Sequence, residues 1–202
     1  LLDAKIDFEE SGHDFERIVA SNYVIKSPGI PAQVPIFKEL ALKKVPVLSE
    51  IEFASNFTNA KKVCITGSNG KTTTTMLVYH IFKNAGLNVA FAGNIGKSLA
   101  RQVSLSEPDY FIIELSSFQL DDLQTFRADV SILLNITPDH LDRYNNDMNL
   151  YADSKLRITR NQTNEDWFIF NADDPVINDK ISTLTLPMKV ASFSIKTPQD
   201  IG

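Results

Sequence analysis

The stretch KVCITGSNGKTTTTMLVYHIFKNAG, residues 62–86, decides the fold. Its first residues, up to Thr66, form an apolar run of strand length, and the residues after Lys71 carry apolar positions at helical spacing. Between them stands GSNGK, so the order is strand, glycine loop, helix. Gly67 and Gly70 let the backbone turn its N–H groups towards an anion, and a helix start adds about half a unit of positive charge. Read this way, Gly67, Ser68, Asn69, Gly70, Lys71, Thr72 and Thr73 cradle the phosphates of a nucleotide. Lys71 supplies a point charge for the terminal phosphate oxygens, and Thr72 supplies a hydroxyl suited to Mg²⁺. The loop is shorter than the usual Walker pattern, because the position five before Gly70 is Ile65 and the leading glycine comes two residues later. A plain glycine turn capping a helix is the alternative, and the placement of GKTT at a strand-to-helix junction disfavours it.

Working outward, strand-length apolar runs stand at 23–26, 45–48, 62–66, 88–92, 110–115, 130–135, 167–171 and 189–194. Helical patterns stand at 35–44, 71–85, 148–161 and 175–182, the last with Asp174 as N-cap and Pro175 in its first turn. Gly86 closes the second of these as a C-cap. The alternation predicts an α/β protein, with a mostly parallel sheet and helices on both faces. A polar stretch at 55–62 places a domain boundary near Ala60, which divides the chain into 1–59 and 60–202. At 202 residues there is room for one full domain and a fragment, and the opening at Leu1 and stop at Gly202 read as a piece of something longer.

Composition narrows the function classes. Hydrophobic residues at 43% and charged ones at 22% exclude intrinsic disorder and predict a real core. A formal charge of −5, without any block of lysine or arginine, argues against a nucleic-acid partner and against an anionic membrane. Any anionic ligand must therefore be caught locally. The single cysteine, Cys64, permits no internal disulfide, and neither a signal peptide nor a long apolar run is visible, which predicts a soluble cytosolic protein.

Further polar residues end the later strands. Glu114 closes DYFIIE, and an open parallel sheet places its ligands beyond the carboxyl ends of its strands, so this carboxylate can hold Mg²⁺; a solvated glutamate is the ordinary alternative. The run SILLNI delivers TPDHLDRY to the same edge. There His140 can ligate a second cation or hold an anionic substrate oxygen, with Asp139 and Asp142 orienting its ring, although a lone loop histidine is more often structural. Lys155, in YADSKLRI, reads by spacing alone as a solvent-facing lysine. His13 and His80 read as surface or packing residues and Cys64 as a small buried hydrophobe. Asn56, Asn135 and Asn161 begin glycosylation triplets that carry no meaning in a cytosolic chain.

Taken together, ITGSNGKTT, AGNIG, IIELSSFQL, LNITPDHLDRY, YADSKLRI and FNADD resemble, in order and nearly in spacing, the motifs of the Mur ligases, which build the peptidoglycan peptide in the bacterial cytoplasm. ELSSFQL and DHLDRY resemble the branch of that family that adds D-glutamate, and SPGIP and VPVLSEIEFA resemble the end of the family's first domain. The resemblance implies a Rossmann-like remnant at 1–59 that binds the UDP-substrate, then an incomplete central P-loop domain at 60–202. The family's first strand with its glycine turn, and its carboxy-terminal domain, have no counterpart here.

The same resemblance implies roles. ATP would lie on Gly67 to Thr73 with Lys71 on its terminal phosphates, Thr72 and Glu114 on one Mg²⁺, and His140 on a second. Lys155 stands where the family carries a lysine carbamylated by CO₂ that contributes to the metal site, which reverses the spacing-based reading. Lys71, His140 and Lys155 would be the catalytic residues. Ser27, Pro28, Gly29, Asn94, Ser116, Gln119 and His140 would line the path of UDP-N-acetylmuramoyl-L-alanine, with D-glutamate as the second substrate and the enzyme a monomer. The implied reaction is ATP-dependent amide formation through an acyl phosphate. Two rival expectations are a ligase like folylpolyglutamate synthase and a nucleotide-binding fragment that catalyses nothing; taken alone, these residues are expected to be inactive.

Overall fold

The computed structural model describes residues 5–10, 12–31 and 33–199, and divides between Ser49 and Glu50 into two compact units. In the first unit, helices α1 (Phe15–Val19) and α2 (Ile36–Leu42) accompany strands β1 (Val24–Lys26) and β2 (Val47–Ser49). These two strands pair in parallel, with Val24 opposite Val47 and Lys26 opposite Ser49.

The second unit opens with helix α3 (Glu50–Ser55) and is built around strand β3 (Lys61–Thr66). After β3 come α4 (Lys71–Asn84), β4 (Val89–Gly93), α5 (Leu99–Leu105), β5 (Tyr110–Glu114), α6 (Ser117–Asp121) and β6 (Val130–Leu133). Then follow α7 (Met148–Leu156), β7 (Trp167–Asn171), α8 (Pro175–Ser182) and β8 (Lys189–Phe193). All six strands run parallel, in the order β4-β5-β3-β6-β7-β8.

Both faces of this sheet are covered, which is why its central strands are nearly continuous apolar runs rather than alternating ones. Val63, Ile65 and Ile112 point to the face where Val78, Tyr79 and Phe82 of α4 pack. Cys64, Phe111 and Ile113 point the other way, onto Leu99 of α5, Leu120 of α6 and Ile51 and Ala54 of α3. A further cluster joins Leu133, Phe168 and Phe170 to Tyr151 and Leu156 of α7 and to Ile177 of α8. Cys64 is fully buried, as its reading as a small hydrophobe requires.

The chain leaves β3 outward to β4, returns to β5, and then crosses β3 to reach β6. The carboxyl ends of β5, β3 and β6 therefore diverge at a topological switch point, the place where open α/β sheets bind ligands.

Each expected strand is present within two residues at either end, and the α/β class with helices on both faces is observed. Four helices, α1, α3, α5 and α6, go beyond what the spacing predicted. At five to seven residues they are too short to display an apolar period. Caps and tertiary contacts hold them instead: the Asp14 carboxylate accepts the Arg17 N–H at 3.2 Å, and the Ser98 hydroxyl accepts that of Arg101 at 3.2 Å. The pattern at 148–161 divides into α7 and one 3₁₀ turn, Arg157–Thr159.

The break between units comes before α3 rather than near Ala60, because α3 is fastened into the second unit. Besides burying Ile51 and Ala54, it sends the buried Glu52 carboxylate to the backbone N–H groups of Gln124 (2.9 Å), Thr125 (2.8 Å) and Phe126 (3.2 Å). Burial alone would raise the Glu52 carboxyl, but these bonds and that from the Thr125 hydroxyl outweigh it and hold the group below its ordinary value. Among the described residues no helix is long and apolar enough to cross a membrane.

Candidate nucleotide site

The loop leaving β3 is held from every side. Gly67 is buried; a Cβ there would lie 3.0 Å from the Leu134 Cβ and 3.3 Å from the Asn135 nitrogen, so the close approach to the exit of β6 selects glycine. The Ser68 N–H donates to the Asn135 carbonyl at 2.9 Å, while the Asn135 side chain accepts from the Asn69 N–H at 2.8 Å and donates to the Asn69 carbonyl at 3.0 Å. Gly70 then takes the left-handed conformation (φ 80°) as the N-cap of α4, without any side-chain capping bond. The first-turn N–H groups of this 14-residue helix are left open to an anion.

Lysines add charge to that opening. Lys71 Nζ folds back over the loop and donates to the carbonyls of Gly67 (2.9 Å) and Ser68 (3.0 Å). Lys155 Nζ donates to the same Gly67 carbonyl at 2.9 Å from beneath and lies 4.6 Å from the centre of the Tyr151 ring. Lys155 is only 1% exposed, so the solvent-facing reading from its spacing is wrong. The helix α7 is too mixed in composition to mark its inner face, and it buries Ser154 and Lys155 beside Tyr151. Burial, and then the charge of Lys71, push the Lys155 ammonium down to about 7. Among the described residues neither lysine is paired with a carboxylate.

On the other side of β3 stands Glu114, 1% exposed at the end of β5. One carboxylate oxygen accepts the Thr72 hydroxyl at 2.7 Å, and the other accepts the Asn94 amide at 2.9 Å. Asn94 reaches it because Gly93 brings the end of β4 against β5: a Cβ on Gly93 would lie 2.1 Å from the Glu114 carbonyl oxygen. The strand-end carboxylate, the first-turn hydroxyl of α4 and the AGNIG turn thus meet at one place.

The arrangement is a preformed anion cradle with two ammonium groups and an adjoining carboxylate–hydroxyl pair. A model of the Mur ligase middle domain matches residues 65–201, a span that includes all of these residues. The chain belongs to the Mur ligase family. It is 58% identical over 195 residues to the UDP-N-acetylmuramoylalanine--D-glutamate ligase of Bacteroides fragilis, covering 96% of this chain and 44% of that protein. The Porphyromonas gingivalis protein of the same name is 51% identical, over 96% of this chain and 43% of its own length. The chain thus spans less than half the length of these relatives. Among solved structures, the fold matches UDP-N-acetylmuramate:L-alanyl-gamma-D-glutamyl-meso-diaminopimelate ligase from Neisseria meningitides with a TM-score of 0.65 at 17% identity, over 91% of this chain and 62% of that one. It also matches the MurF ligase of Thermotoga maritima in complex with ADP, with a TM-score of 0.59 at 16% identity, over 91% of this chain and 52% of that one.

Elsewhere in this Mur ligase chain the remaining expected residues are less closely gathered. Thr73 is exposed on the first turn of α4. Ser116 and Gln119 form a capping box at the start of α6, in which the Gln119 side-chain oxygen accepts the Ser116 N–H at 3.0 Å. His140 lies on the loop after β6 with its side chain 58% exposed, 3.7 Å from the Asp139 carboxylate and with its ring 5.4 Å from that of Phe118. Asp142 is exposed and makes no described contact with the imidazole. Ser27, Pro28 and Gly29 belong to the first unit, where the Ile30 N–H closes a turn onto the Ser27 carbonyl at 3.0 Å. Lys26 and Ile30, on either side of that turn, line a cavity of about 740 Å³. His13 lines the same cavity, and His80 is exposed on α4 beside Asn84.

Asn135, Thr137 and Tyr151 hold the loop, and sequence reasoning gave none of them a site role. Asn135 had a signal: it is a polar residue ending an expected strand, 130–135. Tyr151 had another, since it stands four residues before Lys155 and so on the same helical face.

Proposed function

We propose that these residues form the ATP-holding part of a ligase that joins D-glutamate to UDP-N-acetylmuramoyl-L-alanine. The observation that carries this reading is the phosphate loop of β3, with Lys71 folded over it and Thr72 hydrogen-bonded to Glu114. The choice of substrates rests on the identity of 51–58% to relatives bearing that activity in their names.

The chemistry explains the charges. A carboxylate resists amide formation because its oxygen is a poor leaving group. Attack of the L-alanyl carboxylate on the γ-phosphoryl group of ATP gives an acyl phosphate and ADP. The amine of D-glutamate then displaces phosphate. Carboxylate and triphosphate repel each other, so cationic groups must hold them in line. Lys71 would exchange its two carbonyl acceptors for phosphate oxygens, and the open N–H groups of α4 would take the rest.

Thr72 and Glu114 suit Mg²⁺, a hard cation commonly held by one or two carboxylates together with substrate phosphates. Among the described residues no cluster of three or more His, Cys, Asp or Glu is poised for a metal, so the phosphates would have to supply the remaining ligands. That ion would neutralise phosphate charge. His140 would serve a second cation or an oxygen of the substrate. Lys155, buried and without a carboxylate partner among the described residues, offers an amine whose lowered pKa favours reaction with CO₂, and the carbamate would replace its positive charge with a negative one. Asn94, Ser116 and Gln119, with Ser27, Pro28 and Gly29 in the first unit, would attend the muramoyl substrate.

The test is phosphate release by the longer ligase, with UDP-N-acetylmuramoyl-L-alanine and D-glutamate in one arm and folate and glutamate in the other. Turnover confined to the first arm is expected; turnover confined to the second would replace this reading with a folylpolyglutamate-type ligase. The 202 residues alone are expected to bind ATP without releasing phosphate.

A further inference from the structure

We infer that Tyr151 is a positioning residue of the nucleotide site, acting through Ser68 to set the shape of the phosphate loop; this rests on the reading that the loop holds ATP. Tyr151 is 1% exposed and among the largest fully buried side chains. Its phenol oxygen lies 3.1 Å from Ser68 Oγ. The direction of that bond follows from counting. A serine hydroxyl has one hydrogen and two lone pairs. The Ser68 hydrogen goes to the Thr137 carbonyl at 2.9 Å, and one lone pair takes the Thr137 N–H at 2.9 Å. The remaining lone pair accepts the Tyr151 hydroxyl, so Tyr151 is the donor that completes the set.

The consequence is a two-point grip. Tyr151 and Lys155 stand four residues apart on the inner face of α7, and they hold Ser68 and Gly67, successive residues of the loop. The Tyr151 ring also supports the Lys155 ammonium from 4.6 Å. Ser68 is itself 6% exposed, so deleting the phenol oxygen leaves a buried lone pair unsatisfied. The peptide planes at 67–70, which aim the N–H groups, then lose one of the supports that fix their angle. Tyr151 opens the stretch YADSKLRI, but its role is exercised on another residue rather than on the ligand.

The experiment compares Tyr151→Phe, Ser68→Ala and the double variant of this chain. Two quantities are measured: affinity for ATP by calorimetry, and the thermal midpoint without nucleotide. Tyr151→Phe should weaken ATP about tenfold, with Ser68→Ala similar and the double variant no worse than either. A purely structural role would lower the midpoint and leave the affinity of the folded protein unchanged, and that result overturns the inference. Losses that multiply in the double variant overturn it too, since Tyr151 would then not act through Ser68. Should Tyr151→Phe fail to fold, Tyr151→Met takes its place: a tenfold loss of affinity in the folded variant, not deepened by adding Ser68→Ala, supports the inference, and intact affinity removes it. If the unmodified chain itself binds no ATP, the nucleotide reading falls and this inference with it, whereas tight binding by every variant removes the inference only.

Discussion

Two loops leave neighbouring strands of the same sheet and are built on opposite principles. The loop after β3 is short and is bonded on both sides, its backbone to Asn135 and to Lys155 of α7, and its Ser68 hydroxyl to Thr137 and to Tyr151 of α7. The loop after β6 shares that rigidity only as far as Thr137. Beyond Pro138 it turns to the surface, where His140, Asn145 and Asn146 take positive φ (49°, 54° and 57°) and His140 is exposed. On the proposed reading, one loop is a cradle whose dipoles are aimed before the ligand arrives, so little reorganisation is needed when charge enters. The other would be a surface arm whose side chains meet what the cradle holds.

Four predictions probe that contrast. The largest effect is expected at the cradle's mobile charge: Lys71→Ala should lower turnover of the longer ligase at least about 10²-fold, or ~2.7 kcal/mol, and an intact rate would remove Lys71 from the phosphates.

Next comes Lys155. Its ammonium falls to about 7 in the folded chain against 10.5 when free, so between those values the unfolded chain binds more protons. Stability should therefore rise with pH across this window, by at most about 1.4 kcal/mol per pH unit, and Lys155→Met should lose that slope in urea titrations at pH 7 and 9. A slope that survives in Lys155→Met would assign it to another group.

Asn135→Ala deletes two bonds to the Asn69 backbone and should destabilise by about 2 kcal/mol in the same titrations. His140→Ala should change stability by less than about 0.5 kcal/mol while lowering turnover. Should His140→Ala cost as much stability as Asn135→Ala, the two loops would not differ as described.

The glycine loop, Glu114 and all the strands were legible because each writes its own local signal: a turn needing positive φ, a polar residue ending an apolar run, a strand-length run covered on both faces. Even the fit of Gly93 into AGNIG was visible as a motif, though its reason was not. That reason is a carbonyl oxygen 2.1 Å from where a Cβ would lie, on a strand twenty residues later. Helices α1, α3, α5 and α6 were invisible because so few residues scarcely show a 3.6-residue period, and the attachment of α3 to the second unit was not legible because its carboxylate anchors lie 72 and 73 residues away. Lys155 shows the same limit from the other side. Its spacing pointed to solvent, a family resemblance pointed to the site, and only the packing of α7 under the loop gave the physical ground.

By itself, then, the amino-acid order determined the alternating architecture, the anion cradle between β3 and α4, and the chemistry its lysine and threonine can offer, since all of these depend on neighbours within a few residues. The tertiary structure decided which distant groups complete that cradle: Glu114 and Asn94 on one flank of β3, Asn135 and Thr137 on the other, Tyr151 and Lys155 below. The physical reason is that strand order is a property of the sheet. Where the chain crosses β3 to begin β6, Asn135 and Lys155 are brought within hydrogen-bonding distance of loop residues 66 and 88 positions earlier, and no period or motif in the chain records that crossing.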